Sequence, residues 1–299
     1  MDIVGHRKIF YAISGVLVGA GLAAIAVFGI RLGIDFTGGS FIEVEFRDER
    51  PPVGELASRL ERLGLGEIRM QPSGERGLLI RARHLSEEEH RAFVAALGPA
   101  ESGIAERRFD TVGPTIGREL RRRSAIAIAL VLFLIVSYIA WAFRKVSAPV
   151  QSWKYGMATV VALIHDIVIP AGFFALAGRV AGFEADTLFV TALLTILGFS
   201  VHDTIVVFDR VRENLQKAKG GDDFGVIVNR SVSETFVRSV NTSLTVVIAL
   251  AAVWLFGGAS TQAFALTLVI GIVAGTYSSI FIASPLLVTW HEFQRRKKI

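Results

Sequence analysis

The stretch LGFSVHDTIVVFDRVREN, residues 197–214, places an acidic residue inside an apolar segment. Its first half belongs to an apolar run over 187–208, in which Asp203 follows His202. A carboxylate at the centre of a membrane-spanning helix costs about 2.5–3.5 kcal/mol on insertion scales. An ordinary membrane helix has no reason to carry that cost. We therefore predict that Asp203 handles an ion.

The rest of the chain has the composition of an integral membrane protein. It has 299 residues, of which 52% are hydrophobic, and its mean hydropathy is +0.51. Six apolar runs are long enough to cross about 30 Å of hydrocarbon as helices. They lie at 9–30, 124–143, 157–178, 187–208, 240–256 and 263–288. The first run continues to Ile30, longer than the core of a signal peptide, so we predict an uncleaved signal-anchor helix.

Basic residues in the short loops predict the orientation. Clusters at 7–8, 144–154, 210–219 and 295–298 all fall on one side of the predicted membrane. The positive-inside rule then places both termini in the cytoplasm. The arginines at 118–123 lie on the opposite side, but they close a loop of about 90 residues, and long loops translocate largely regardless of charge. Because the positive charge follows the helix ends, the net charge of +5 does not predict a nucleic-acid partner.

The long outer loop is predicted to be a domain of its own. The predicted elements are strands at 41–46, 67–71, 78–83 and 104–112, and helices at 53–63 and 86–97. Ser86 and Glu89 have the spacing of a capping box at the second helix. The order β-α-β-β-α-β predicts an extracytoplasmic α+β domain of the ferredoxin-like type. Such a fold does not specify a function, and a passive spacer is the alternative.

The fold class is thus a polytopic α-helical membrane protein of six transmembrane helices, with that domain between helices 1 and 2. The predicted divisions are 1–30, 31–123, 124–288 with a cytoplasmic loop at 209–239, and a basic cytoplasmic tail at 289–299. An apolar stripe within the loop predicts a helix lying on the inner membrane surface. Its members are Phe224, Ile227, Val228 and Val232.

The fifth predicted helix offers a partner for Asp203. A polar stripe at i, i+3, i+4 and i+7 consists of Arg238, Asn241, Thr242 and Thr245. Because lipid would not favour such a stripe, we expect it to face a protein interior or a hydrated path. Arg238 is the predicted counter-charge of Asp203. The alternative is an i,i+4 pair between Arg238 and Glu234 at the membrane edge.

The third predicted helix adds His165 and Asp166 near mid-membrane. They could relay protons, or they could form a hydrogen-bonded pair that only fixes helix packing. Ser200 falls on the Asp203 side of its helix and could position water. The sequence has no cysteine, nucleotide-binding motif, dinucleotide fingerprint or metal-ligand cluster, so we predict no cofactor, no metal and no enzymatic activity. An ion gradient is the predicted source of energy.

Four motifs together resemble the SecF family, the smaller half of the SecD/SecF accessory complex of the bacterial Sec export machinery. They are GIDFTGG at 33–39, VGPTIG at 112–117, the pair at 165–166 and the segment 198–212. The resemblance covers essentially the whole chain. It implies a six-helix half of the resistance-nodulation-division transporter architecture, completed by SecD as a pseudo-symmetric second half.

The same resemblance implies partners and roles. The implied partners are SecD, the SecYEG translocon with YajC and YidC, unfolded exported polypeptide and protons, in the bacterial cytoplasmic membrane. Asp203 falls on the family's proton-carrying aspartate and Arg238 on its fifth-helix arginine. His165, Asp166, Ser200, His202, Asn241, Thr242 and Thr245 form the predicted supporting polar network.

The glycine-rich motifs are expected to be structural. We predict that Asp35, Gly38 and Gly39, with Gly113 and Pro114, hold a hinge between the first helix and the outer domain. Two other functions stay open: a non-conducting scaffold that joins SecD to the translocon, and a small-molecule exporter of the same superfamily. The single small outer domain disfavours an exporter, because it leaves no room for a drug-sized pocket between subdomains.

Overall fold

A computed structural model describes residues 2–98, 103–144, 151–218 and 222–296. The chain divides into two compact units. The membrane unit comprises Met1–Ile30, Ile126–Phe183 and Leu188–Ile299, and the α/β unit comprises Arg31–Ala125 with Glu184–Thr187. The second unit therefore includes four residues that lie far along the chain from the rest of it.

The helices and strands follow one another in a simple order. They are α1 (Arg7–Phe28), α2 (Ile34–Thr37), β1 (Gly39–Glu45), α3 (Val53–Glu61), β2 (Arg69–Ser73), β3 (Gly77–Ala82), α4 (Glu87–Leu97), β4 (Ala105–Val112), α5 (Pro114–Ala142), α6 (Ser152–Val180), α7 (Thr187–Lys217), α8 (Phe224–Phe256), α9 (Ala259–Ser278), a π-helical turn (Ser279–Ala283) and α10 (Ser284–Arg296). The last membrane span is thus formed by α9, the π turn and α10 together.

Within the described ranges, six helical spans are long and apolar enough to cross a membrane. The predicted six-helix architecture is confirmed. The helices extend further than the apolar runs, because α7 continues to Lys217 and α8 already begins at Phe224. The predicted loop 209–239 is therefore largely helical.

The predicted surface helix is wrong. Its four apolar residues belong to the first turns of α8 and are buried, and three of them, Phe224, Val228 and Val232, lie in the main apolar cluster of the membrane unit. Small residues allow close packing elsewhere in this unit. A Cβ atom on Gly271 of α9 would lie 2.1 Å from Ile196 of α7, and one on Gly275 would lie 3.0 Å from Ser200. These glycines let α9 approach α7 directly beside the polar residues of that helix.

The α/β unit contains a four-stranded sheet in the order β2-β3-β1-β4, with every pair antiparallel. Ile42 of β1 lies between Ile80 of β3 and Phe109 of β4. Alternate residues of β1 are buried against α3 and α4, where Leu60 and Phe93 complete the core. The predicted β-α-β-β-α-β order is confirmed, and so is the capping box between Ser86 and Glu89.

The glycines of the predicted hinge differ from one another. Gly38 has a φ of 76°, and a Cβ atom there would lie 2.8 Å from the Cα atom of Pro114. Gly39 has a φ of 130°, and its Cβ atom would lie 2.8 Å from the carbonyl oxygen of Ala82. A side chain is therefore excluded at both positions. Gly113 has open space around it, and Pro114 is the first residue of α5, where its missing N–H is not needed.

Candidate functional site

Asp203 lies on the buried face of α7. Only 3% of its surface is exposed, and Ser200, Thr204 and Val207 share its face. The carboxylate faces the hydroxyls of Ser239 on α8 and Thr276 on α9. In the described part of the chain, neither Asp203 Oδ2 nor Ser239 Oγ has a hydrogen-bond partner, although both are buried. Asp203 therefore lies among hydroxyl groups without being fully hydrogen-bonded.

Arg238 is not the neighbour of Asp203 that the sequence predicted. It is exposed, and among the described residues no ion pair joins it to Asp203. Successive residues of a helix are rotated by about 100°, so when Ser239 points inward its neighbour Arg238 points away. The direct pair is therefore a wrong prediction for this conformation of the chain.

Glu234, the alternative partner predicted for Arg238, forms hydrogen bonds with other residues. Glu234 accepts a bond of 2.5 Å from Arg210 of α7, one of 2.9 Å from Arg230 and one of 2.9 Å from Asn214. These contacts connect the adjacent ends of α7 and α8. The charged segment after Asp203 thus packs against the next helix.

The predicted polar stripe of α8 faces outward from this chain. Asn241, Thr242 and Thr245 are all exposed, as Arg238 is. A second polar row of the same helix is buried instead, at a spacing of four residues. It consists of Ser231, Thr235, Ser239 and Ser243. The sequence contained this signal, because serine and threonine recur every fourth residue of an apolar helix.

Asp166 of α6 is the centre of a buried hydrogen-bond network. Its side chain is fully buried and accepts bonds from Ser200 of α7 and from Ser278 of α9, the latter at 2.8 Å. His165 Nδ1 lies 2.8 Å from the other carboxylate oxygen. Asp166 therefore ties three membrane helices together. Sequence reasoning identified His165, Asp166 and Ser200 but missed Ser278, which precedes the π turn.

At the π turn, two consecutive serines contact two different helices. Ser278 donates to Asp166, while Ser279 shares a hydrogen bond of 2.8 Å with Thr204. Close by, Ser243 of α8 is hydrogen-bonded to Thr276. Such π-helical turns are frequent at functional sites of helices. The buried polar residues of α6, α7, α8 and α9 thus form one polar core.

The two buried carboxylates differ in what they can do. Both oxygens of Asp166 have hydrogen-bond partners, Ser200 and Ser278 on one oxygen and His165 Nδ1 on the other. Asp203 Oδ2 has no partner among the residues that the structure describes, so it can take up a proton without breaking a hydrogen bond. His202, predicted to support it, is exposed and does not lie on the buried face of α7. Among the described residues, no group of three or more His, Cys, Asp or Glu side chains could hold a metal ion.

Asp35 of the predicted hinge contacts a different element from the one expected. Its Oδ2 accepts hydrogen bonds from the backbone N–H of Thr187 at 2.9 Å and from the Thr187 hydroxyl at 2.7 Å. Thr187 is the first residue of α7. Asp35 therefore binds the start of α7 rather than the end of α1.

Comparison with known proteins is consistent with this architecture. Residues 93–293 match the family described as protein export membrane protein SecD/SecF, C-terminal, and residues 23–49 match the SecD/SecF GG motif. The chain is 46% identical over 303 residues to protein translocase subunit SecF of Thermobaculum terrenum, with 97% of this chain and 94% of that protein aligned. The chain belongs to the SecD/SecF family.

Longer members of the SecD/SecF family contain a region similar to the whole chain. Protein translocase subunit SecDF of Bacillus subtilis is 34% identical over 300 residues, which cover 99% of this chain and 39% of that protein. The crystal structure of SecDF from Thermus thermophilus superposes with a TM-score of 0.82 at 33% identity, covering 98% of this chain and 39% of that one. The expected SecF-type, multi-pass membrane protein is confirmed.

Proposed function

We propose that this chain is the SecF subunit of an accessory complex that uses the proton-motive force to promote polypeptide translocation through the Sec translocon. Similarity to SecF proteins over nearly the whole chain supports the export role. The proposed location is the bacterial cytoplasmic membrane, with both termini in the cytoplasm and the α/β unit outside it. The proposed partners are SecD, SecYEG with YajC and YidC, and unfolded exported polypeptide.

The observation that carries the proton-driven mechanism is the buried carboxylate of Asp203, whose Oδ2 has no hydrogen-bond partner among the described residues. The ionised group is costly to bury without full hydrogen bonding, and protonation removes most of that cost. A proton that crosses the membrane field gains about 2.3 kcal/mol per 100 mV. A few protons can therefore shift the packing of α7 against α8 and α9 between two arrangements.

Arg238 has a place in this mechanism through another chain. It lies on an exposed face of an apolar helix with Asn241, Thr242 and Thr245, and a charge facing lipid would be costly. We infer that this stripe faces the membrane helices of SecD, which would supply an acidic or hydrogen-bonding partner. The polar core and the stripe would then lie on adjacent faces of α8.

Cysteine cross-linking tests the position of the stripe, because the chain has no cysteine of its own. A Thr242→Cys variant is expected to cross-link to SecD in membranes. Leu244→Cys is the matched control, since it is exposed too but lies about 200° round the helix from residue 242. Equal cross-linking from both positions, or cross-linking from Leu244→Cys alone, would place SecD on another face.

The function is tested with Asp203→Asn in the assembled complex with SecD and SecYEG in vesicles. The amide keeps the size of the side chain but cannot carry a proton, so stimulation of translocation by the proton-motive force should disappear while assembly is retained. Asp209→Asn is the control, because that aspartate is on the same helix but is exposed and paired with Arg212. Normal stimulation in Asp203→Asn would overturn the proposal.

Proton flux separates this proposal from the remaining functions. A scaffold that only joins SecD to the translocon would show no flux above background, and the Asp203→Asn variant would not differ from the unmodified complex. Replacing H⁺ by Na⁺ gradients in the same vesicles identifies the coupling ion. Transport of amphiphilic dyes, lost in Asp203→Asn, would instead favour an exporter.

A further inference from the structure

The connection between α6 and α7 folds with the α/β unit and not with the helices on either side of it. Glu184–Thr187 belongs to that unit. The backbone N–H of Ala185 donates to the carbonyl of Arg31, and the N–H of Gly33 donates to the carbonyl of Ala185, both at 2.7 Å. Leu32 and Ala185 form a parallel β-bridge. The connection is therefore attached to the α/β unit by its backbone.

Side chains of the α/β unit reinforce this attachment. Asp35 accepts both the backbone N–H and the hydroxyl of Thr187. The N–H groups at the start of a helix have no partner within the helix, and a negative charge there is favourable. Arg81 of β3 and Glu184 form an ion pair of 2.7 Å in which both side chains are less than one-fifth exposed. Solvent screens such a pair less than it screens a surface pair.

The helix that begins in this connection is the one that carries Asp203. Asp203 follows Thr187 by 16 residues of uninterrupted α7, a rise of about 24 Å at 1.5 Å per residue. A helix transmits displacement along its axis because its backbone bonds are satisfied internally. Movement of α7 at Asp203 therefore reaches the connection, and through it Asp35 and Arg81.

We propose that the connection 184–187, held by Asp35 and Arg81, is the coupling element between the proton-handling helix and the α/β unit. It stays attached to the α/β unit throughout the cycle, so that this unit follows the start of α7. This inference rests on the proton-driven function proposed above. The chain also passes continuously between the two units along α5, and that helix is the competing route.

Substitutions of Asp35 test the coupling in the complex with SecD and SecYEG in vesicles. Asp35→Ala should retain proton flux but reduce translocation per proton about fivefold, the factor that corresponds to a lost helix cap of about 1 kcal/mol. Asp35→Asn should keep most of the coupling, because an amide oxygen still accepts hydrogen bonds. Asp48→Ala, an exposed aspartate of the same unit, is the matched control and should change neither quantity.

The ion pair allows a restoration test. Arg81→Glu should uncouple flux from translocation, because it places two carboxylates against each other. Adding Glu184→Arg to that variant should restore coupling, since the pair is re-formed with its charges exchanged. If the double variant stays uncoupled while its thermal stability recovers, the pair serves stability alone and the inference is wrong.

A disulfide tests whether the connection stays attached. In a complex whose SecD has no cysteine, the substitutions Leu32→Cys and Ala185→Cys in this chain should form a disulfide, because the two residues pair in the β-bridge. The oxidised complex should stimulate translocation normally, because the proposed coupling element does not open. Loss of stimulation that a reductant reverses would show that the connection must detach, and would overturn the inference.

The two proposals fail in different ways. Absence of proton flux in the unmodified complex contradicts the proton-driven function itself. If Asp35→Ala shows normal proton flux and normal translocation, only the proposed coupling element is contradicted. The movement would then be transmitted to the α/β unit through α5. Loss of both flux and translocation in Asp35→Ala, with the complex still assembled, would mean that Asp35 acts on the proton-handling site and not on its output.

Discussion

Ser278 donates a hydrogen bond of 2.8 Å to the carboxylate of Asp166, which joins the last membrane span to α6. Together with the bond from Ser200 and the contact with His165, it leaves Asp166 with hydrogen-bond partners on both oxygens. Asp203, on the neighbouring part of the same polar core, has one oxygen without a hydrogen-bond partner in the described ranges. The structure therefore separates two buried carboxylates that the sequence alone could not distinguish.

This difference predicts unequal effects of two serine substitutions. Ser278→Ala should lower the free energy of unfolding by about 1–3 kcal/mol, because it removes a hydroxyl donor from the fully buried carboxyl group of Asp166. Ser239→Ala should cost clearly less, since the equally buried Ser239 hydroxyl faces Asp203 but makes no well-oriented hydrogen bond in the described part of the chain. Unfolding in detergent, followed by circular dichroism, measures both. Equal destabilisation would contradict the assigned network.

The sequence predicted the elements well because local patterns decide them. Apolar length sets the six membrane spans, and in the α/β unit the alternation of β1 and the capping box at Ser86 set a strand and a helix start. Hydropathy marks only the apolar part of a helix. It therefore missed the ends of α7 and α8, where charged residues such as Arg210 and Glu234 pair with each other.

The candidate site was only partly predictable. Helical periodicity shows that Arg238 and Ser239 belong to different faces, but it does not say which face the rest of the chain covers. Because of its opposite charge, Arg238 was the predicted partner of Asp203. In the folded chain the neighbouring residue Ser239 is buried instead, and Arg238 is exposed. The contact of Asp35 with Thr187 joins residues 152 positions apart, and no local pattern indicates such a pair.

The surroundings of two hinge glycines, Gly38 and Gly113, predict that the same substitution by alanine costs different amounts of stability at the two positions. Gly38→Ala should destabilise the protein by about 1–3 kcal/mol or more, because the backbone has a positive φ and the new Cβ atom would meet the backbone of Pro114. Gly113→Ala should cost less than about 1 kcal/mol, since its backbone is not left-handed and, among the described residues, no heavy atom beyond its chain neighbours lies within 4 Å of the added methyl group. Thermal unfolding of the two variants in detergent makes the comparison.

The contacts of Glu234 predict the result of two double-mutant cycles. The pair of Arg210 with Glu234 should show a coupling energy of about 0.2–1 kcal/mol, because both side chains are partly exposed. The pair of Arg238 with Glu234 should show none, although the two residues have favourable i,i+4 spacing. Both cycles use glutamine substitutions and unfolding of the purified chain. Coupling of Arg238 equal to that of Arg210 would restore the membrane-edge pair predicted from the sequence.

The capping box of α4 predicts a dependence on acidity outside the membrane. The hydrogen bond from Arg83, followed by that from the Ser86 backbone, lowers the pKa of Glu89 from 4.5 to about 2. A lowered pKa in the folded state means that Glu89 stabilises α4 above pH 4.5 and that this contribution is lost as the pH falls toward 2. Protection of the α4 amides from hydrogen exchange should therefore decrease over that interval.

Two glutamine variants of α4 distinguish the effect of protonating the capping residue Glu89 from the effect of acid on the rest of the helix. Glu89→Gln should lower protection of the α4 amides at neutral pH and remove most of its loss between pH 4.5 and 2, because no ionised carboxylate is left to protonate. Glu88→Gln changes the same charge one residue earlier, on an exposed side chain, and should keep the dependence on pH. If both variants flatten the profile equally, the first-turn charge and not the capping box determines the acid sensitivity of α4.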